Sequence, residues 1–176
     1  MCIRDRGDTY LTTQTLRIVT LQSGQWGIKV RSTYPLATPS EISNISEAEI
    51  ASAESAARNV LEKYIEARNN RDVEGLAELH HYPSVVLRNV DLYVFNAPED
   101  YITYEENTVM PNLDYAEWDH SKLNSVEVIQ SDPGMVHLAI KIEDINIVGE
   151  MSGGGEEGIW VVTKIDDKWG IQARSN

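Results

Sequence analysis

The sequence has a single cysteine, Cys2, so it can form no internal disulfide bond and no metal cluster held by several thiolates. It has no apolar run near the roughly 18 residues that a membrane-spanning helix needs. Basic residues are also scarce, because 15 lysines and arginines stand against 28 aspartates and glutamates, for a formal net charge of −13. Nucleic acids and anionic membrane surfaces attract basic patches, so this balance argues against either as a partner.

Several motifs of enzyme and metal chemistry are missing too. There is no G-x-S-x-G nucleophile elbow. Gly153-Gly154-Gly155 lacks the following Lys and Ser or Thr of a phosphate-binding loop, so it indicates a hairpin loop. The histidines show no metal-ligand spacing, since His80 and His81 are adjacent and His120 and His137 stand alone. We therefore predict no metal and no cofactor, and we expect His137 to face outward or toward a partner, opposite the apolar residues of its strand.

What the sequence does contain is a long internal repeat. IVTLQSGQWGIKVRS at 18–32 aligns with VVTKIDDKWGIQARS at 161–175, at a constant offset of 143 positions and with seven identities in fifteen. The pairs include Trp26 with Trp169 and Arg31 with Arg174, and we expect both arginines to tie their strand to an acid. The period is too long for a solenoid repeat and is the size of a whole domain.

The repeat suggests a tandem-domain protein. We expect residues 9–34 to be the terminal β-hairpin of a truncated first copy, residues 35–45 a linker, and residues 46–176 a complete second copy. The opening string MCIRDR has no apolar segment typical of a signal peptide, and it resembles a translated sequencing-adapter read that recurs at the ends of metagenomic gene models. We therefore expect residues 1–8 to be a non-native or disordered leader. The residues present favour a cytoplasmic location, but a native start upstream would leave the compartment open.

The order of predicted elements in the second copy is helices first and then long strands. Ser46 and Glu49 form a capping-box pattern, and apolar residues recur every three or four positions from Ile50 to Ile65, which predicts an amphipathic helix. A shorter helix follows Asp72, and a third is expected at 98–106. Strands are expected at 85–87, 92–95, 118–130, 135–148, 159–165 and 169–174. This order predicts an α+β fold, with helices packed on one face of an antiparallel sheet.

The elements resemble those of the nuclear-transport-factor-2-like superfamily, which includes ketosteroid isomerases, SnoaL-like polyketide cyclases and dehydratases. YIEARNNRDVEGLAELHHYPSVVL at 64–87 resembles the family's helix–loop–helix–strand signature, and WVVTKIDDKWGIQARS at 160–175 resembles its final hairpin. The resemblance covers residues 46–176. It implies a cone, in which a strongly curved antiparallel sheet wraps around the N-terminal helices and leaves a pocket at the wide end for a small ligand. It also implies a homodimer paired through the open sheet face.

The resemblance carries over only part of the isomerase machinery. Aligned on Asp72 and Gly75, the oxyanion-donating tyrosine falls on Tyr64, the general base on Arg88 and the second acid near Val161. An arginine cannot abstract a proton near neutral pH. Because both carboxylates are absent from those positions, we do not expect isomerase activity of that type.

Three functions remain open. The first is a small domain that binds an apolar ligand and is non-catalytic or weakly catalytic. The second is a SnoaL-like isomerase, cyclase or dehydratase that uses His81 or His80 with Tyr64 and Arg88, since a histidine titrates near neutral pH. The third is a protein–protein interaction module that uses the sheet face. Aromatic rings can stack on a ligand while their polar ends stay bonded, so the expected ligand-binding residues are Tyr64, Arg88, Tyr93, Tyr101, Trp118 and Trp160.

Overall fold

The computed structural model describes residues 4–5, 8–9, 13–35, 45–152 and 155–175. The chain divides into two compact units, Met1–Glu47 and Ala48–Asn176. Within the described part of the chain, no helix combines the length and the apolar composition that crossing a bilayer requires. The expected linker falls largely on residues 36–44, which lie outside the described residues.

The first unit consists of two short antiparallel pairs. Strands β1 (Arg4–Asp5) and β2 (Asp8–Thr9) pair with each other, and strands β3 (Thr13–Gln22) and β4 (Gln25–Pro35) form a hairpin. The turn of that hairpin is Ser23-Gly24, where both residues have positive φ angles of 51° and 79°. Two consecutive positive φ angles favour a tight two-residue hairpin turn, which explains the glycine.

The helices of the second unit begin with α1 (Glu47–Asn69) and α2 (Val73–Glu78). The predicted stripe on α1 is buried, with Ala57, Leu61 and Tyr64 in the core. Helix α3 (Pro98–Tyr104) continues through a π-helical turn (Glu105–Val109) into α4 (Met110–Tyr115), so this helical region runs well past the predicted end at residue 106.

Six strands form one sheet in the second unit: β5 (His80–Arg88), β6 (Asp91–Phe95), β7 (Trp118–Asp132), β8 (Met135–Asn146), β9 (Glu156–Ile165) and β10 (Lys168–Ser175). Their order is β6-β5-β10-β9-β8-β7, and every neighbouring pair is antiparallel except β5 and β10. The β7–β8 pairing shifts register three times. Such bulges bend a sheet, and the bent sheet packs against α1 as the predicted α+β cone.

Two details of the second unit differ from the sequence-based expectation. Strand β5 starts at His80, five residues earlier than expected, so His80 and His81 occupy opposite faces of a strand rather than the end of a helix. His137 does not face solvent, because it is fully buried on β8 between Val136 and Leu138.

Candidate ligand-binding site

A cavity of about 520 Å³ opens in the second unit where the ends of several elements meet. Arg68 comes from the last turn of α1 and Arg88 from the end of β5, whereas Asp144 lies near the end of β8 and Glu156 starts β9. The apolar lining residues are Val109, Leu113 and Ala116, which come from the helical region and the residue that follows it. The remaining lining residues are Asn89, Asn112, Ser152, Gly155 and Glu157.

Arg68 is fixed in place by a buried hydrogen-bond network. Its Nη2 atom lies 3.2 Å from Asp144 Oδ2, and its Nε donates to Ser121 Oγ at 3.0 Å. Ser121 Oγ in turn donates to Asp144 Oδ1 at 2.5 Å and accepts from Trp118 Nε1 at 3.1 Å. Burial alone would lower the pKa of Arg68, but the oxygens of Tyr64, Glu156 and Asp144 raise it above its ordinary value, so the guanidinium stays charged.

Arg174 is buried and is not among the residues that line the cavity, but it contacts Glu156, which is. Its Nη1 donates to the Tyr64 hydroxyl at 2.5 Å, and its Nη2 donates to the Tyr101 hydroxyl at 3.5 Å. The guanidinium also lies 3.7 Å from a carboxylate oxygen of Glu105 and 3.6 Å from one of Glu156. The prediction that Arg174 ties the last strand to an acid is therefore confirmed, with two acids.

Glu156 links the buried network to the cavity. Its Oε1 atom lies 3.4 Å from Arg88 Nη2, and its Oε2 atom lies 3.6 Å from Arg174 Nη1, which is beyond hydrogen-bond distance. Burial would raise the pKa of Glu156, but Arg174, Arg68 and Arg88 together hold it below its ordinary value. Glu156 is only 6% exposed, and Oε2 has no hydrogen-bond partner among the described residues.

The residues joined by these ion pairs include as many arginines as carboxylates. Three arginines, Arg68, Arg88 and Arg174, face three carboxylates, those of Glu105, Asp144 and Glu156. Enclosed charges are tolerated only when each has a counter-charge and hydrogen bonds. Among the residues that the structure describes, no three His, Cys, Asp or Glu side chains are grouped as ligands of a metal ion would be.

Of the six residues expected to bind a ligand, Arg88 lines the cavity and the other five do not. Tyr64, Tyr101 and Trp160 have no exposed surface, and all three contact Arg174 or each other. Trp118 is held in the Ser121 network, and Tyr93 packs against the rings of Phe95 and Tyr104. These aromatic side chains enclose the charged residues instead of forming the cavity wall.

The two candidate catalytic histidines lie away from the cavity. His80 is fully buried, its Nδ1 lies 2.8 Å from the Leu76 carbonyl, and burial followed by the charge of Arg174 lowers its pKa to about 3. His81 lies on the other face of β5, with Nδ1 2.9 Å from Thr163 Oγ1. Neither histidine bonds to Tyr64, whose hydroxyl accepts from Arg174 instead.

The charged residues that sequence reasoning missed had a signal in strand parity. Asp144 continues the alternation of Val136, Leu138, Ile140 and Ile142, which are all buried. Glu156 has the same parity as Trp160 and Val162, and Arg68 follows Tyr64 by one helical turn. A charged residue at a core position of an otherwise apolar pattern predicts a buried partner of opposite charge.

Comparison with known proteins identifies the architecture. No protein-family model matches the sequence, and no curated protein matches it significantly. Among solved structures, a nuclear-transport-factor-2-like protein with a cystatin-like fold from Novosphingobium aromaticivorans matches with a TM-score of 0.57 and 12% identity, over 80% of this chain and 90% of that one. A nuclear-transport-factor-2-like protein of unknown function from Pseudomonas putida KT2440 matches with a TM-score of 0.57 and 14% identity, over 75% of this chain and 87% of that one.

An enzyme is among the similar structures. The hexachlorocyclohexane dehydrochlorinase LinA-type3 from Novosphingobium barchaimii LL02 matches with a TM-score of 0.57 and 12% identity, over 74% of this chain and 88% of that one. The second unit is thus an α+β cone of helices against a curved sheet. More specifically, its fold is the nuclear-transport-factor-2-like fold, as the sequence resemblance implied.

Proposed function

We propose that the second unit binds a small, largely apolar molecule with one polar end in the 520 Å³ cavity. The observation that carries this proposal is the mixed lining of the cavity, which is apolar at Val109 and Leu113 of the helical region and charged at Arg88 and Glu156 of the sheet. The volume falls within the range of about 300–1,000 Å³ typical of small-molecule pockets.

The polar wall favours a head group that both donates and accepts hydrogen bonds. Glu156 lines the cavity and offers a carboxylate acceptor. Arg88 offers donors, because its side chain is 33% exposed and a guanidinium has five N–H groups. A primary amide or a hydroxyl next to a carbonyl would satisfy both residues. A carboxylate would face the charge of Glu156, and an ammonium would face that of Arg88.

The titration properties of the wall favour binding over acid–base catalysis. A general base is most effective when its pKa lies near the working pH, whereas the pKa of Glu156 is held below its ordinary value. No histidine is among the residues that line the cavity in the described part of the chain. Any catalysis by this wall would therefore be weak.

The experiment uses four probes with the same eight-carbon chain: octanamide, octanoate, octanol and octylamine. We expect octanamide to bind most tightly in titrations followed by amide NMR shifts, with the largest changes at Val109, Leu113, Gly155 and Glu156. A ligand of about ten non-hydrogen atoms is expected to bind with a dissociation constant of about 1 mM or somewhat tighter.

Matched variants localise the binding. Arg88→Met should weaken octanamide binding about ten- to a hundredfold, because a hydrogen bond to a charged group is worth about 1.5–3 kcal/mol. Lys164→Met removes an exposed cation, paired with Asp167 on the β9–β10 turn, and should leave binding unchanged. If Arg88→Met bound octanamide as well as the parent protein, or if shift changes spread over the surface without saturation, the proposed site would be wrong.

A further inference from the structure

The hairpin β3–β4 has the same strand register as the hairpin β9–β10. In the first hairpin Val19 pairs with Ile28 and Thr20 with Gly27. In the second, Val162 pairs with Ile171 and Thr163 with Gly170. Each pair in one hairpin becomes the corresponding pair in the other when 143 is added to both residue numbers. The sequence repeat is therefore also a repeat of backbone pairing.

The two hairpins also share a bulge. The β3–β4 register shifts between Ile18 and Val19, which leaves out Lys29 between their partners. The β9–β10 register shifts between Ile171 and Ala173, which leaves out Gln172 at the equivalent position. A bulge re-aims the side chains beyond it, and in the second hairpin Arg174 lies directly beyond it, as Arg31 does in the first.

In β9–β10 four of the seven shared residues, Val162, Gly170, Ile171 and Arg174, contact other elements of the second unit. Val162 and Ile171 are fully buried in the core. A Cβ atom on Gly170 would lie 2.9 Å from the ring of His81, so a larger residue does not fit there without a shift of the ring. Arg174 forms the buried ion pairs with Glu105 and Glu156.

In β3–β4 the same residue types are uncovered. Val19 is 48% exposed, Trp26 71% and Ile28 59%, and Arg31 is also exposed. Among the described residues, no atom lies within 4 Å of a Cβ built on Gly27. Gly27 is outside the turn, and a glycine within a strand weakens the strand unless something approaches it closely. The first hairpin thus has exposed apolar residues and a strand glycine that would stabilise a fold only if other elements packed on them.

We infer that β3–β4 is a closing hairpin for another cone-shaped domain of this fold, one that lacks its own last two strands. Val19 and Ile28 would pack on that domain's long helix, Gly27 would accept a close side chain from the strand beside it, and Arg31 would pair with buried carboxylates. The occupant of the exposed face is therefore a helix-and-sheet surface like that of 45–165. This inference is independent of the proposed ligand.

The test exchanges the hairpins within the full chain. Residues 161–175 are replaced by a copy of 18–32, which changes eight of the fifteen positions and keeps the seven shared residues. We expect this chimera to unfold cooperatively, with a melting temperature within about 10 °C of the parent. Gly170→Ala should lower the melting temperature of chimera and parent by similar amounts. A control graft with the same residues in scrambled order should not fold.

A smaller graft separates hairpin compatibility from turn chemistry. Val161→Ile, Gln172→Lys and Ala173→Val together convert the differing strand positions away from the turn, and leave the turn residues 166–167 and the strand ends next to them unchanged. If this triple variant melted more than about 10 °C below the parent, or if Gly170→Ala had no effect in it, the hairpins would not be interchangeable and the inference would fail. A dimer of the unaltered chain that Ile28→Ser dissolves would identify a second complete copy as the occupant, which would overturn the proposed one.

Discussion

Replacing Arg174 by methionine should remove a large part of the stability of the second unit. Methionine keeps much of the side-chain volume but removes the charge and the hydrogen bonds to Tyr64 and Tyr101. It also leaves the carboxylates of Glu105 and Glu156, which are almost fully enclosed, without their shared counter-charge.

The expected loss follows from the enclosure of these charges. Removing one partner of a buried ion pair costs about 3–5 kcal/mol, because the remaining charge is uncompensated. The whole free energy of unfolding of a domain is about 5–15 kcal/mol, so the variant should be marginal at best. A loss of this size lowers the melting temperature of a domain this large by at least about 10 °C. Urea unfolding followed by tryptophan fluorescence measures the free energy directly.

The pH dependence gives a second readout. In the parent protein the pKa of Glu156 is below its ordinary value, so its ionised form stabilises the fold above about pH 4.5, and this contribution is lost as the pH falls through the native pKa. Arg174→Met removes the cation that lowers this pKa most, so the effect of burial, which favours the neutral acid, is less opposed. The deficit of the variant should therefore be largest near pH 7 and should shrink toward pH 4.

Two further variants test whether Arg174 is coupled to the buried carboxylates. Adding Glu105→Gln to Arg174→Met removes one uncompensated charge and should recover more than about 1 kcal/mol. Lys164→Met, an exposed cation on the same hairpin, should change stability by no more than about 0.5 kcal/mol. A loss below about 1 kcal/mol in Arg174→Met, or a deficit that does not change with pH, would show that the buried charges are not coupled as described.

Three other predictions concern separate parts of the second unit. Gly170→Ala should destabilise it by about 1–3 kcal/mol through the clash with a histidine ring, whereas Gly134→Ala, whose Cβ would be 3.6 Å from its nearest neighbour, should be nearly neutral in thermal melts. Because His80 has a native pKa of about 3 and an ordinary pKa of 6.5, the unfolded chain binds a proton there below about pH 6.5 that the native state does not. The free energy of unfolding should therefore decrease as the pH is lowered, by up to about 1.4 kcal/mol per pH unit. His80→Gln should make this decrease less steep in urea unfolding at pH 4–7. Ser121→Ala should cost about 1–3 kcal/mol, because it removes the oxygen shared by three buried groups, whereas the exposed Ser125→Ala should have little effect in the same assay.

The fold was predictable because the spacing of apolar residues along the sequence indicates which face of each helix or strand is buried. The stripe from Ala53 to Tyr64 and the alternation along β8 each placed an element against the core, and their order indicated the α+β class. The start of strand β5 was less predictable, because Pro83 interrupts the run of residues typical of a strand. The adjacent His80 and His81 suit either a helix end or a strand.

The candidate site was less predictable because its partners are far apart in sequence. Arg68 and Asp144 are separated by 76 positions, and no local pattern states which buried acid meets which arginine. Aromatic residues such as Tyr64 were expected to touch a ligand, but Arg174 occupies the space beside them. The tandem organisation and the homodimer through the sheet face remain predictions.

The position of Arg174 on β10 has a consequence for the order in which the cone can be completed. Every other member of the charged cluster, from Arg68 to Glu156, precedes it along the chain. While the polypeptide is being synthesised, Arg68 and Arg88 are available to Asp144 and Glu156 before β10 emerges, whereas the ion pair of Glu105 is with Arg174 of β10. Burial of Glu105 as a carboxylate therefore requires that β10 has left the ribosome.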